Sequence, residues 1–350
     1  MTPQELKNSI LQLAIQGKLV EQRPEEGTAE ELFVRIQEEK QRLIKEKKIR
    51  KAKPLPEIDE DEKAFDLPVS WKWCRLGDIL YKLTDGTHST PRYVMHGVPF
   101  LSVKDMSSGK LDFSRCKYIS EQEHQELYSR CNPELGDLLV TKVGTTGIPV
   151  IVDTDLPFSL FVSVALLKFN QHLIYNKFLQ ILINAPLVQK QVAENTRGVG
   201  NKNWVMRDIA NTIIVLPPLA EQKRIVDKIE ELLPYFDRYE QTWSKLEKFN
   251  GRFPEDMKKS LLQYAIQGKL VEQRPEEGTA EELFEQIQEE KHRLIKEKKI
   301  KKEKPLPEIT DDEKPFDIPE SWKWVRVGEI FAHNTGKAMN SSAKKVNKAG

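Results

Sequence analysis

Residues 14–33 read AIQGKLVEQRPEEGTAEELF, and residues 265–284 read the same twenty letters. The identity is the centre of a longer match, in which Leu6 to Leu80 returns without a gap as Met257 to Phe331 at a constant offset of 251 residues. Solenoid repeats have periods of about 20 to 50 residues and stack on their neighbours. A longer period means one structural unit laid down twice, with unrelated sequence between the copies. That order is a duplicated framework carrying a variable insert, which suits a protein that holds a recognition domain on a constant scaffold.

Each copy has the same internal grammar. A helical pattern stops at Gly17 or Gly268, where glycine can cap in the left-handed conformation. Thr28-Ala-Glu-Glu31 and Thr279-Ala-Glu-Glu282 are capping boxes. They open helices with Leu32, Ile36, Leu43 and Ile44, or Leu283, Ile287, Leu294 and Ile295, on one side. Both helices run into Lys-rich tails and proline linkers, Pro54-Leu-Pro56 and Pro305-Leu-Pro307. The phrases FDLPVSWKW (65–73) and FDIPESWKW (316–324) then mark a domain start.

Just before the second copy, the residues from about Ala220 to Asn250 predict a long helix. Its apolar positions Ile225, Ile229, Leu232, Phe236, Tyr239, Trp243 and Leu246 advance in alternating steps of four and three, a heptad seam. Pro217 and Pro218 can start this helix, and Pro234 is expected to kink or divide it. A second helix is expected from Glu255 to Gln267. Such a seam calls for a partner helix, in this chain or another; the alternative is a lone amphipathic helix packed on its own domain.

Between Trp71 and Pro218 short β-branched and apolar runs alternate with Gly- and Asp-rich turns. Helical patterns are interleaved at Gln122–Ser129 and Tyr175–Glu194. The expected fold class is therefore α+β: a mixed α/β recognition domain plus long coiled-coil-forming helices. The expected divisions are 1–64, a helical repeat and charged linker; 65–218, the recognition domain; 219–315, the coiled-coil region with the second repeat; and 316–350, the truncated, partly disordered start of a second recognition domain.

The chain has 350 residues, 55 Lys and Arg against 54 Asp and Glu, and no apolar run of 18 residues. Its first residues, MTPQELKNSI, lack a signal-peptide core, so a cytoplasmic protein without membrane contact is expected. The net charge of +1 conceals local patterning. Lys40–Lys53 holds eight basic residues and one acid, whereas the block from Trp71 to Pro218 has 16 Lys and Arg against 13 Asp and Glu. Cys74, Cys116 and Cys131 follow no metal-ligand or disulfide spacing.

No phosphate loop, GxGxxG, HExxH or amino-methyltransferase NPPY-like motif is present. Gly144-Thr-Thr-Gly147 reads as a turn. Asp153 and Asp155 lack the Glu-x-Lys of a metal-dependent nuclease. No catalytic residue, metal site or cofactor is expected, which favours a recognition or assembly component over an enzyme.

Several motifs together resemble the specificity (S) subunit of type I restriction–modification systems. They are Leu67-Pro-x-x-Trp71-x-Trp73 with Leu76-Gly77-Asp78, GVPFLSVKD (97–105), LGDLLVTK (135–142) and, most specific, LPPLAEQKRI (216–225) leading into the heptad helix. The resemblance spans nearly the whole chain. It implies target recognition domains that read double-stranded DNA. Between them, conserved helices set the half-site spacing and dock two methyltransferase (M) subunits, with restriction (R) subunits joining the complex. A complete member carries two recognition domains, whereas this chain resembles one and the beginning of another. A half-subunit that homodimerises through Ile225–Leu246, a silent allele or a fragment would each fit. A homodimer would imply an interrupted palindromic target.

Base and phosphate recognition needs cations, amides and planar polar side chains on loops. Two loops of the central block supply them: Thr84, Thr87, His88, Ser89, Arg92 and Tyr93 in one, and Arg197, Asn201, Lys202 and Asn203 in the other. Lys104 and Lys142 end two predicted strands within reach of phosphate. The rival readings are a pure assembly protein built on its coiled coil, which binds no DNA, and a nuclease using Asp153 or Asp155.

Overall fold

The computed structural model describes residues 1–196, 198, 202–302 and 304–332. The expected disorder of the last residues and the loop positions Arg197 and Asn201 fall outside them. The chain divides into two units, Met1–Trp243 and Ser244–Gly350.

The first unit opens with helices α1 (Pro3–Ile15) and α2 (Ala29–Lys45). Both begin at reciprocal caps: Thr2 Oγ1 accepts from the Glu5 amide at 3.2 Å while Glu5 accepts from the Thr2 amide at 2.8 Å, and Thr28 and Glu31 repeat the pattern. Strand β1 (Lys72–Arg75) and the one-turn helix α3 (Leu76–Ile79) follow. Then come β2 (Lys82–Asp85), β3 (Tyr93–Val94), β4 (Val98–Leu101), β5 (Lys117–Ile119) and α4 (Glu121–Tyr128). Next are β6 (Leu138–Thr141), β7 (Pro149–Ile151), β8 (Ser159–Leu160) and β9 (Val164–Lys168). Helices α5 (Asn176–Asn184), α6 (Pro186–Asn195) and α7 (Met206–Asn211), strand β10 (Ile213–Leu216) and the long helix α8 (Leu219–Ile266) complete the order. The fold is α+β. An antiparallel sheet runs β2-β9-β6-β7, a second runs β3-β5-β4-β8 with β4 and β8 parallel, and β1 pairs with β10 alone. Strands β6 and β9 are buried along their whole length, which explains their continuous apolar runs.

The first repeat copy and the central block share one core. Leu11, Ala14 and Ile15 of α1 and Leu32 and Ile36 of α2 join Trp71, Phe178, Leu182, Val188 and Ile225 in a single buried cluster. The start of α8 locks this arrangement. Glu221 accepts from Trp71 Nε1 at 2.8 Å and from Gln22 Nε2. Gln222 accepts from the Tyr175 amide at 2.9 Å and donates to the Pro217 carbonyl at 3.0 Å. Arg224 grips Glu26 through Nε and Nη2 at 2.8 and 2.7 Å. Each polar residue of the AEQKR stretch that faces inward therefore has a named partner, as burial requires.

Two expectations about α8 need correction. The helix is continuous through Pro234 and Pro254, undivided and with no separate second helix. A proline withdraws one N–H from the ladder, but its ring holds φ at a helical value, so the ladder can resume beyond it. The head of the seam is also spent within the domain: Ile225 is fully buried and Ile229 packs on the same core. Leu232, Phe236, Tyr239 and Trp243 are half-buried and Leu246 is exposed. The Tyr239 hydroxyl donates to the Met1 carbonyl at 2.5 Å.

The second unit takes in the rest of α8, then α9 (Ala280–Lys296) and the short helix α10 (Val327–Ile330). It reproduces the internal bonds of the first copy. Ala29 N donates to Ser70 O at 2.7 Å and Ala280 N to Ser321 O at 2.8 Å. Lys40 and Lys291 reach the Gly77 and Gly328 carbonyls at 3.0 and 2.9 Å, and Arg75 and Arg326 donate to the Pro56 and Pro307 carbonyls at 2.7 and 2.6 Å. Among the described residues no helix is long and apolar enough to cross a membrane.

Candidate nucleic-acid interface

The two polar loops singled out in the sequence lie far apart along the chain, yet the fold carries both to the end of β6. After β2 the chain passes so close to β8 that a Cβ on Gly86 would lie 2.0 Å from the Leu160 carbonyl oxygen, so only glycine fits. Thr87 then bonds the same segment, its amide to Leu160 O and its carbonyl to Val162 N, both at 2.9 Å. Ser163, two residues past Phe161, accepts from Lys142 N through its carbonyl at 2.9 Å and from Val103 N through its hydroxyl at 3.1 Å. The second loop arrives from the other side: Trp204 N donates to Lys142 O at 2.8 Å, and Gly144 N to Lys202 O at 2.9 Å. Segments 84–93, 102–105, 142–144 and 202–204 thus form one connected rim.

The side chains on this rim differ in availability. His88, Ser89, Arg92, Tyr93, Lys104 and Lys202 are exposed, and Thr84, Thr87 and Asn203 are half-buried. Tyr93 sits on β3 beneath Lys117, whose Nζ lies 5.9 Å from its ring centre. The Arg92 amide donates to Glu123 at 3.3 Å, leaving its guanidinium out of that contact. Lys104 falls on a 3-10 turn after β4 rather than at a strand end. Lys142 departs furthest from expectation. It is 4% exposed and its Nζ lies 3.3 Å from Asp85 Oδ2, so its charge is used inside the protein rather than offered to phosphate. A buried ammonium needs such a partner, and the strand end that sequence placed at the surface is covered by the second loop.

Sequence reading missed Asp85 and Arg130. Asp85 is buried, yet its Oδ1 faces Arg130 Nη2 at 2.5 Å and His88 Nε2 at 3.3 Å while Oδ2 faces Lys142. Arg130 lies two residues beyond α4, 45 residues from Asp85 in sequence, and no local pattern marks it. The Asp137 carboxylate, raised above its usual value by burial, is paired with Lys168 at 2.5 Å, and Lys168 also reaches Glu134 at 3.0 Å. The three cysteines are free and buried, and burial pushes the Cys131 thiol up to about 12, which keeps it protonated and unreactive at neutral pH. Asp153 and Asp155 are exposed on the loop after β7. Among the described residues no group of three His, Cys, Asp or Glu is placed to hold a metal ion.

What the fold defines is an α+β domain gathering polar loops onto one rim, bound to a helical frame that occurs twice. Its central part matches the type I restriction modification DNA specificity domain over residues 68–248, and the chain belongs to that family. It is 31% identical to the Escherichia coli type I restriction enzyme EcoAI specificity subunit over 397 aligned residues, covering 96% of this chain and 64% of that one. Identity to the E. coli EcoEI specificity subunit is 30%, over 94% of this chain and 62% of the relative. The chain therefore spans a little under two thirds of the length of these relatives. Among solved structures, the HsdS subunit from Thermoanaerobacter tengcongensis aligns with 69% of this chain and 57% of its own, at 20% identity and a TM-score of 0.37.

Proposed function

We propose that this chain is the DNA-reading subunit of a type I restriction–modification complex, without catalytic activity of its own, acting in the cytoplasm. In this reading it directs adenine methyltransferase and restriction subunits to a bipartite target. The observation that carries the proposal is the coincidence of the family match at 68–248 with the domain whose loops converge on one rim. Thr84, Thr87, His88, Ser89, Arg92, Tyr93, Lys104, Lys202 and Asn203 supply the hydroxyls, cations and amide that phosphate and base edges require. Arg197 and Asn201 belong to the same loop in sequence.

One recognition domain reads one half-site, so a bipartite target calls for a second reader. Two copies of the chain meeting along Leu232, Phe236, Tyr239, Trp243 and Leu246 would provide it, in line with the partial exposure of those residues. The target would then be a palindrome interrupted by a fixed spacer.

The test is co-expression with the cognate adenine methyltransferase in a host without its own modification, followed by genome-wide mapping of N6-methyladenine. A gapped palindromic motif is expected. Co-purification of the two proteins without any methylated motif would instead support the assembly-only reading and refute sequence recognition.

A further inference from the structure

We propose that Arg130 reads a guanine edge and that Asp85 is the residue that positions it. The inference rests on the DNA-recognition reading above and deepens it. Arg130 is held at two points: Nη2 donates to Asp85 Oδ1 at 2.5 Å and Nη1 to the Gly86 carbonyl at 3.2 Å. A guanidinium has five N–H donors. The other three have no partner among the described residues, and the side chain remains 52% exposed.

The anchors cannot move easily. Asp85 ends β2, where it pairs with Ala165 of β9. Gly86 is pinned against the Leu160 carbonyl, and its own amide donates to Val164 O at 3.3 Å. An exposed arginine usually gains little from an ion pair, because ordering a long side chain costs rotamer entropy. Two fixed anchors in a wall of the domain lower the entropy still to be lost on binding a ligand.

Neutralising Asp85 does not require Arg130. The buried Lys142 ammonium, 3.3 Å away, already balances that carboxylate. Arg130 and Lys142 against Asp85 leave the cluster with a net charge of +1 when His88 is neutral. The surplus charge sits on the exposed, oriented member. Phosphate can accept the same arginine fork, but a contact there would weaken binding to all sequences alike. A planar fork of donors held at a set angle matches the paired O6 and N7 acceptors of guanine. The location agrees, since His88 shares the same carboxylate and Thr87 and Ser89 follow on the same loop.

The experiment uses the full chain assembled with its methyltransferase and binding selection from a randomised DNA library, in parallel for wild type, Arg130→Ala, Arg130→Lys and Asp85→Asn. Wild type should select a motif containing a G·C pair whose preference falls about 5- to 150-fold in Arg130→Ala, with the other positions unchanged. Lysine should restore little of it. Asp85→Asn should relax the same position, and the double variant should be no worse than Arg130→Ala alone. Because Asp85 is buried, its variant is scored only if its melting curve stays cooperative; Arg130→Ala alters an exposed side chain and decides the matter by itself. Uniform loss across all sequences, with a weaker salt dependence, would make Arg130 a phosphate contact and overturn the proposal. An unchanged motif and affinity would overturn it too while leaving DNA recognition intact. A wild-type complex that selects no motif would overturn both.

Discussion

Leu11, Ile15 and Leu32 of the first repeat copy are 7%, 0% and 5% exposed, whereas their counterparts Leu262, Ile266 and Leu283 in the second are 56%, 49% and 57% exposed. These positions carry the same amino acids, and the backbone-anchoring bonds of Ala29, Lys40 and Arg75 recur at Ala280, Lys291 and Arg326. The contrast therefore comes from what each copy touches. The first packs against α5 and α6 and is tied by Gln22, Glu26 and Trp71 to the head of α8. The second has no such domain among the described residues: Trp322 is 39% exposed, and the Glu277 side chain is 69% exposed against 12% for Glu26. Even β1 has no counterpart, because residues 323–326 form no strand where Lys72–Arg75 pair with Ile213–Leu216. The repeat is a socket, complete in its own hydrogen bonds, whose apolar face the central domain fills in the first copy.

The largest expected difference between the copies is in the cost of deleting the same side chain. Ile15→Ala should destabilise the first unit by about 2 to 5 kcal/mol, and Ile266→Ala should cost no more than about 0.5 kcal/mol, measured by denaturant unfolding. Equal costs would break the comparison. Trp71→Phe removes the indole donor to buried Glu221 and should cost about 1 to 3 kcal/mol, with Trp322→Phe close to neutral.

A pH dependence set by a buried carboxyl should appear in the first unit, at Glu221. Burial raises the Glu221 carboxyl above its ordinary value of 4.5, despite hydrogen bonds from Trp71 and Gln22 that favour the charged form. The folded state therefore holds this proton more tightly than the unfolded state does. Its contribution to stability is fully present below pH 4.5 and is lost as pH rises through the raised value. Glu221→Gln should flatten the stability profile across that window; an unaltered slope would contradict the assignment.

The smallest effect should be the same in both copies. Lys72 pairs with Glu30 at 2.7 Å and Lys323 with Glu281 at 2.6 Å, all partly exposed. Alanine at either lysine should cost under about 1 kcal/mol, and by equal amounts, because this contact is internal to the repeat.

The socket was legible in the sequence because it is local. Capping boxes at Thr28 and Thr279, the Trp71-x-Trp73 phrase and the alternating runs of the central block all depend on near neighbours. The polar rim was half legible: composition flagged both loops, but whether Lys142 faces water depends on a loop arriving some 60 residues later in the chain. Asp85 and Arg130 escaped notice for the same reason. The heptad count located the helix α8, yet periodicity cannot tell a face buried on its own domain, as at Ile225, from one awaiting a partner. Division at Pro234 was the wrong half of the kink-or-divide expectation, since the helix resumes beyond the one bond that proline removes.

The central claim is that the 84–93 and 202–204 rim reads DNA while the repeated frame only carries it. Ultraviolet cross-linking of the chain and its methyltransferase to a methylation target, with the linked peptides mapped by mass spectrometry, tests this most directly. Cross-links should fall on the rim of the central domain and be absent from the Lys-rich tails at 40–53 and 291–302. Cross-links confined to those tails, with the rim unmarked, would contradict it.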